Sequence, residues 1–241
     1  FGVEQRAALA AKSEHQPHTL VMTATPIPRS VAMTVFGDLE TIELRDRPAG
    51  RAEVKTVFVD TARNPHWVDR AWERIREEVA QGRQAFVVCP AISGNKTEGD
   101  LEAGAGLSAV TEITPMLAEG PLKGLRVGMV HGRQATAERD RTMRAFTAGE
   151  LDVLVSTTVI EVGVDIPNAS VMVVLDADRF GIAQLHQLRG RIGRGRHPGL
   201  CLLLAAPAPD ALTAVDRLHA LVASTDGFEL AERDLELRRE G

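Results

Sequence analysis

Along this chain, runs of consecutive apolar residues alternate with stretches whose apolar residues recur every three or four positions. The continuous runs fall at 54–59 (VKTVFV), 84–89 (QAFVVC), 126–130, 153–155, 171–175 and 200–205 (LCLLLA). A short, continuous apolar run fits a strand buried on both faces. Between these runs, 64–79 places Trp67, Ala71, Trp72, Ile75 and Val79 on one helical face, and helices are predicted for 107–117, 136–148, 182–188 and 210–224. A strongly charged helical pattern covers 228–241. Strands of this kind, separated by helices, make a parallel sheet covered on both sides, so the expected fold class is α/β.

The first fifty residues are organised differently. Alanine-rich 1–13 carries Val3, Ala7, Ala8 and Ala11 at helical spacing, and 19–23 (TLVMT) is a short buried strand candidate that runs into Thr23-Ala24-Thr25. A helix from Arg29 to Phe36 ends at Gly37, and 38–50 has the mixed charge, proline and glycine of a linker. Residues 90–106 form a long polar loop with glycines at 94, 99, 104 and 106.

Composition narrows the class without deciding the function. In 241 residues, 44% are hydrophobic and 25% charged, as in an ordinary globular domain. No apolar run approaches the ~20 residues that cross a bilayer. The net charge of −5 excludes a uniformly basic nucleic-acid binder but not a local basic patch. Cys89 and Cys201 each lie inside an apolar run, as buried structural thiols do, which fits a reducing compartment, the cytoplasm. No Cys/His spacing points to a metal site. The chain opens on Phe1 rather than methionine, as expected of a fragment or processed product.

The densest chemistry lies in Gln187-Leu188-Arg189-Gly190-Arg191-Ile192-Gly193-Arg194-Gly195. Guanidinium groups are planar, permanently charged and matched to phosphate oxygens. Arg191 and Arg194 are three apart and share a face if the segment is helical, while Gly190, Gly193 and Gly195 allow close backbone approach and unusual φ values. Alone, such a run is either a phosphate-facing cluster or a solvated basic loop. The hydroxyls of Thr23 and Thr25 either relay hydrogen bonds or cap the following helix, and His131 either contacts phosphate or closes a turn. The two tryptophans suit a core stripe or base stacking. Ligands of parallel sheets bind at the strands' carboxyl ends, where the Thr157 and Thr23 turns fall.

Several of these stretches together resemble superfamily 2 helicases and translocases. Gln187-x-x-Gly190-Arg191-x-Gly193-Arg194 is similar to their motif VI, Ser156-Thr157-Thr158 with Gly163-x-Asp165 to motif V, and Thr23-Ala24-Thr25-Pro26-Ile27-Pro28-Arg29 to motif III. Within that superfamily the RecG-type branch is the one resembled by Asp38-Leu39-Glu40, Pro48-x-Gly50-Arg51, Val88-Cys89-Pro90, His131-Gly132-Arg133, Arg179-Phe180-Gly181 and Asp234-Leu235-Glu236-Leu237-Arg238. The resemblance covers almost the whole chain.

It implies a RecA-like sheet of the P-loop NTPase type with a helical C-terminal extension. Residues 1–50 would be the tail of a first motor domain and the linker, 51–207 the second motor domain, and 208–241 the start of a translocation element. The implied activity is ATP-dependent remodelling of branched DNA, with ATP and Mg²⁺ as cofactors. The implied partners are branched DNA, an upstream wedge and first motor domain of the same protein, and single-stranded DNA-binding protein, with no membrane. By resemblance, Arg191 and Arg194 reach the γ-phosphate, while Gln187 and Gly190 contact the nucleotide. Gly163 and Asp165 lie near the ribose; the bland alternative for Asp165 is a surface turn before Pro167. Thr23 and Thr25 couple the nucleotide state to the DNA, and Thr157, Thr158, His131 and Arg133 meet DNA phosphates. Arg133 and Arg189 are alternatively plain surface arginines. The sequence contains no Gly-x-x-x-x-Gly-Lys-Ser/Thr loop and no acidic motif II, so this chain by itself is expected not to hydrolyse ATP. A transcription-repair coupling translocase and a non-catalytic nucleotide- or DNA-binding module are the competing expectations.

Overall fold

A computed structural model describes residues 20, 22, 23, 42, 52–90, 105–157 and 166–239. The expected helices at 1–13 and 29–36, the linker 38–50 apart from Ile42 and most of the loop 90–106 lie outside the described residues. Of the expected strand 19–23 only Leu20, Met22 and Thr23 are described; they are exposed and outside the sheet, so the expected burial is not met at these positions.

The described residues form a six-stranded, wholly parallel sheet. In chain order the elements are β1 (Val54–Asp60), α1 (His66–Ala80), β2 (Gln84–Val88), α2 (Ala105–Glu119), β3 (Val127–Val130), α3 (Thr136–Thr147), β4 (Val153–Ser156), β5 (Ala169–Val174), α4 (Ile182–Arg189), β6 (Gly199–Ala205), α5 (Leu212–Ala223) and α6 (Gly227–Arg239). The strands lie in the order β1-β6-β5-β2-β4-β3. Element types follow the hydrophobic pattern, and the ends shift by a few residues. Helix α2 begins at Ala105 rather than 107 and carries Pro115 inside it. A 3₁₀ turn at Ala177–Arg179, which apolar periodicity does not announce, follows β5.

Strand alternation divides the core into two faces. Phe86, Val88, Leu154, Met172, Val174 and Leu203 pack with Phe146 of α3, Leu185 and Leu188 of α4, Leu218 and Leu221 of α5, and Leu230 and Leu237 of α6. On the other face Ala85, Val87, Val155, Val171, Val173 and Leu204 meet Ala71, Trp72 and Ile75 of α1 and Val110 and Leu117 of α2. The inner strands β2, β4 and β5 are buried at every position, which is why their sequences read as unbroken apolar runs. Each large side chain buried there contributes about 1.5–3 kcal/mol. The Phe86 and Phe146 rings meet edge to face at 5.1 Å.

Trp72 and Trp67 part company: Trp72 is buried in the α1 stripe, whereas Trp67, the second residue of the helix, is 48% exposed. The core-stripe expectation holds for the first and not for the second, because Trp67 lies off the face that meets the sheet.

Both cysteines are buried and free, as their apolar surroundings predict. Burial pushes the Cys89 thiol up to about 12, with the Asp176 carboxylate adding to the shift. Cys201 is likewise pushed up to about 12 by burial, against the opposing pull of Arg189. Thiolate, not thiol, is the nucleophile, so neither cysteine should react with a thiol reagent at pH 8 until the protein is unfolded in urea. The sign of the pH effect follows: native thiols stay protonated where unfolded ones ionise. Stability is full below the ordinary thiol value of 9.0 and falls as pH rises from there toward about 12, a loss that urea titrations across that window measure.

Candidate functional site

A parallel sheet has two chemically distinct edges, one where every strand ends and one where every strand begins. The carboxyl edge brings together the ends of β3, β4 and β2. The Cys89 N–H donates to the Ser156 carbonyl at 2.8 Å and the Thr157 N–H to the Val130 carbonyl at 3.4 Å, so His131 and Thr157 lie on neighbouring strand ends. Both are buried, His131 at 8% and Thr157 at 6% exposure. The turn after β3 is pinned by Gln134. Its Oε1 accepts the His131 backbone N–H at 3.1 Å, and its Nε2 donates to the Met129 carbonyl and to Glu138 Oε1, each at 3.3 Å. Arg133 projects from this turn into solvent. Beside it, the Nδ1 of His131 and the Oγ of Ser156 are buried without a hydrogen-bond partner among the described residues. Polar atoms so placed are available to an incoming acceptor or donor.

The arginine run lies at the opposite, amino edge, away from the carboxyl end where the Thr157 turn falls. Helix α4 starts beyond the end of β5 and runs back along the sheet, so the turn after Arg189 delivers Arg191 and Arg194 to the start of β6. There the Gly199 N–H donates to the Glu53 carbonyl at 2.8 Å, and Val54 pairs with Gly199. The segment that introduces β5 is at the same edge, the Gln84 N–H donating to the Asn168 carbonyl at 3.1 Å. Thr157 thus stands at the carboxyl edge and Ile166 at the amino edge. Thr158, Gly163 and Asp165, which fall between them, and Thr25 lie outside the described residues, while Thr23 is exposed.

Nor do Arg191 and Arg194 share a helical face. The helix ends at Arg189, capped by Gly190, whose N–H donates to the His186 carbonyl at 3.0 Å. Arg194 instead curls back, its Nε donating to the Gly190 carbonyl at 2.8 Å. Ile192, fully buried, roots the turn in the core, and both arginines are half-buried, as is Gln187 one turn earlier. Arg196 is exposed. Of the three glycines only Gly193 takes a left-handed backbone, φ +65°.

Arg189 is neither a phosphate ligand nor a solvated surface group. It is 4% exposed. Its Nη1 donates to the Leu221 carbonyl at 2.7 Å, the Ser224 carbonyl at 2.9 Å and Thr56 Oγ1 at 3.3 Å, and its Nη2 lies 2.9 Å from His186 Nδ1. Those carbonyls belong to the open C-terminal end of α5, where a cation is favoured. The sequence held the signal: Ile182, Leu185 and Arg189 are spaced as one buried helical stripe. Gln134 and Ser156 had no comparable signal, since a polar residue near a strand end reveals nothing of what it faces.

Residues 70–196, from α1 through the arginine turn, match the family described as the helicase conserved C-terminal domain. Over its full length the chain is 54% identical to the ATP-dependent DNA helicase RecG of Mycobacterium tuberculosis, covering 33% of that protein. It is 46% identical to the RecG of Escherichia coli, covering 34% of it. Among solved structures, RecG bound to a three-way DNA junction aligns with 92% of this chain at a TM-score of 0.71 and 39% identity, over 29% of that chain. The chain thus spans about a third of the length of the curated relatives it matches.

Arg189 gives a direct test of this geometry. Replacing it by alanine strands the carbonyls of Leu221 and Ser224, and Arg189→Ala should lower stability by about 2–4 kcal/mol in a urea titration. Arg189→Lys should recover little of that, because one ammonium does not reproduce a planar fork of donors.

Proposed function

The chain belongs to the helicase conserved C-terminal domain family, and we propose that it is the second RecA-like motor half of an ATP-dependent DNA helicase that remodels branched DNA, forks and Holliday junctions, in repair and recombination. The observation that carries this reading is the presence of two sets of phosphate-suited groups at the two edges of one parallel sheet. Groups suited to DNA phosphates stand at the carboxyl edge, and the arginine turn stands at the amino edge beside the approach to β5. The similarity to a RecG seen on a three-way DNA junction supports branched DNA as the partner.

In this reading Arg191 and Arg194 stabilise the charge that develops on the transferred γ-phosphoryl group. Half-buried guanidinium groups suit that task, being permanently charged and partly withdrawn from water. Gln187 and Gly190 line the nucleotide site, and Gly163 with Asp165 approaches the ribose. Thr157, Thr158, His131 and Arg133 hold DNA phosphates through hydroxyl, N–H and cationic groups that carry no base information, as suits a motor that acts on shape. Thr23 and Thr25 couple the two tasks.

The described residues contain no group of three His, Cys, Asp or Glu side chains that would hold a metal, so Mg²⁺ would be held chiefly by nucleotide phosphates and the upstream half. Beyond that half and its wedge, single-stranded DNA-binding protein is the further partner, and the cytoplasm the compartment.

ATP hydrolysis with and without forked DNA tests the reading. This chain alone should give no turnover, and supplying the upstream motor half should restore it. In the complete enzyme, Arg194→Ala should cut DNA-stimulated turnover by ~10³–10⁵-fold and leave affinity for forked DNA largely intact. Turnover by the chain alone, or wild-type turnover in that variant, would sink the assignment.

A further inference from the structure

The turn carrying Arg191 and Arg194 occupies a slot with no spare room. A Cβ built on Gly193 would stand 2.5 Å from Val54 Cγ2 and 3.3 Å from the Ala52 carbonyl oxygen, at a φ of +65°. A Cβ built on Gly195 would collide with the Pro167 carbonyl oxygen and lie 3.2 Å from its carbonyl carbon. These obstacles come from two separate stretches of chain, the first residues of β1 and the approach to β5. Arg194 sits between the two glycines, with Ile192 buried on the near side and the Gly190 carbonyl holding its Nε at 2.8 Å.

The Pro167 obstacle is backbone, which a rotamer change does not relieve. Any side chain at 195 must therefore push the turn away from β5, and one at 193 is strained by its φ of +65° and must displace the Val54 methyl or the turn. Loop residues that served only to fill space would not need this double contact on both sides of one arginine.

We propose that Gly193 and Gly195 are positioning residues of the nucleotide site: they seat the arginine turn between Ala52–Val54 and Pro167 and so set where the guanidinium of Arg194 comes to rest. The inference rests on the reading of Arg191 and Arg194 as phosphate-binding groups. Displacing a catalytic group by about 1 Å costs on the order of 10²-fold in rate, so a Cβ is enough to matter. The loss should fall on the chemical step, with binding of ATP and DNA little changed, because the guanidinium is displaced and not removed.

The test uses the complete enzyme. Gly193→Ala and Gly195→Ala should each lower kcat for DNA-stimulated ATP hydrolysis by ~10- to 100-fold. KM for ATP and Kd for forked DNA should stay within about threefold of wild type. Thermal unfolding midpoints should stay within about 5 °C. Val54→Ala removes the methyl group that the new Cβ of Gly193→Ala meets, so Gly193→Ala/Val54→Ala should regain about tenfold of the lost kcat. Wild-type kcat in both glycine variants, a loss that only tracks the folded fraction, or a double variant no faster than Gly193→Ala would overturn the proposal. Arg194→Ala measured alongside separates the two levels. If it is slow while the glycine variants are fast, this inference falls alone; if it is fast, the phosphate reading beneath it falls.

Discussion

The parallel hydrogen-bond ladder is the constraint from which the rest of this structure follows. Once every strand runs the same way, each connection must cross a face, and the chain must alternate between an edge of strand ends and an edge of strand beginnings. Helices on both faces then bury the inner strands completely, and those strands carry almost nothing polar. Chemistry is left to the edges. His131 and Thr157 are at one because they follow strands, and the arginine turn is at the other because it precedes one. Opposite placement of the two groups is a product of connectivity and needs no special device.

Much of this was legible in the residues. The unbroken apolar run at Ala85–Cys89 could be little other than an inner strand, and the stripe Ala71, Trp72, Ile75 could face only a sheet. Sheet order was not legible, because register is set by partners far away in sequence: nothing local in Val54 says that it pairs with Gly199. The candidate site followed the same rule. That arginines cluster near glycines is a local fact and was plain. Which edge they occupy is a consequence of topology, set by their place between α4 and β6, and nothing local in the run announces it. The close backbone approach expected of the glycines is present at Gly193 and Gly195, whereas Gly190 keeps an ordinary helical backbone.

Four arginines within eight residues also show how little the side chain alone decides. Arg189 is enclosed and neutralises the end of a neighbouring helix, Arg191 and Arg194 are half-covered at the sheet's amino edge, and Arg196 is in solvent. The same guanidinium is enclosed, half-covered or solvated according to where α4 ends and what packs on it. A motif that treats these positions as one cluster therefore hides a division of labour that burial exposes.

The pairing of β1 with β6 has a consequence for how the protein is made. Among the described residues β1 is the first strand of the sheet to leave the ribosome, yet it pairs there only with the last. At ~5–20 residues per second, β1 waits on the order of 10 s for its partner to be synthesised. Until then its ladder to β6 is unmade, and an open strand edge is the kind of segment that mispairs. Val54, against which the arginine turn leans, is part of it. Strands β2, β4 and β5 pair with one another and all precede β6, whereas the brace of the arginine turn needs β1 and the start of β6 together and so is the last part of the sheet the chain can assemble.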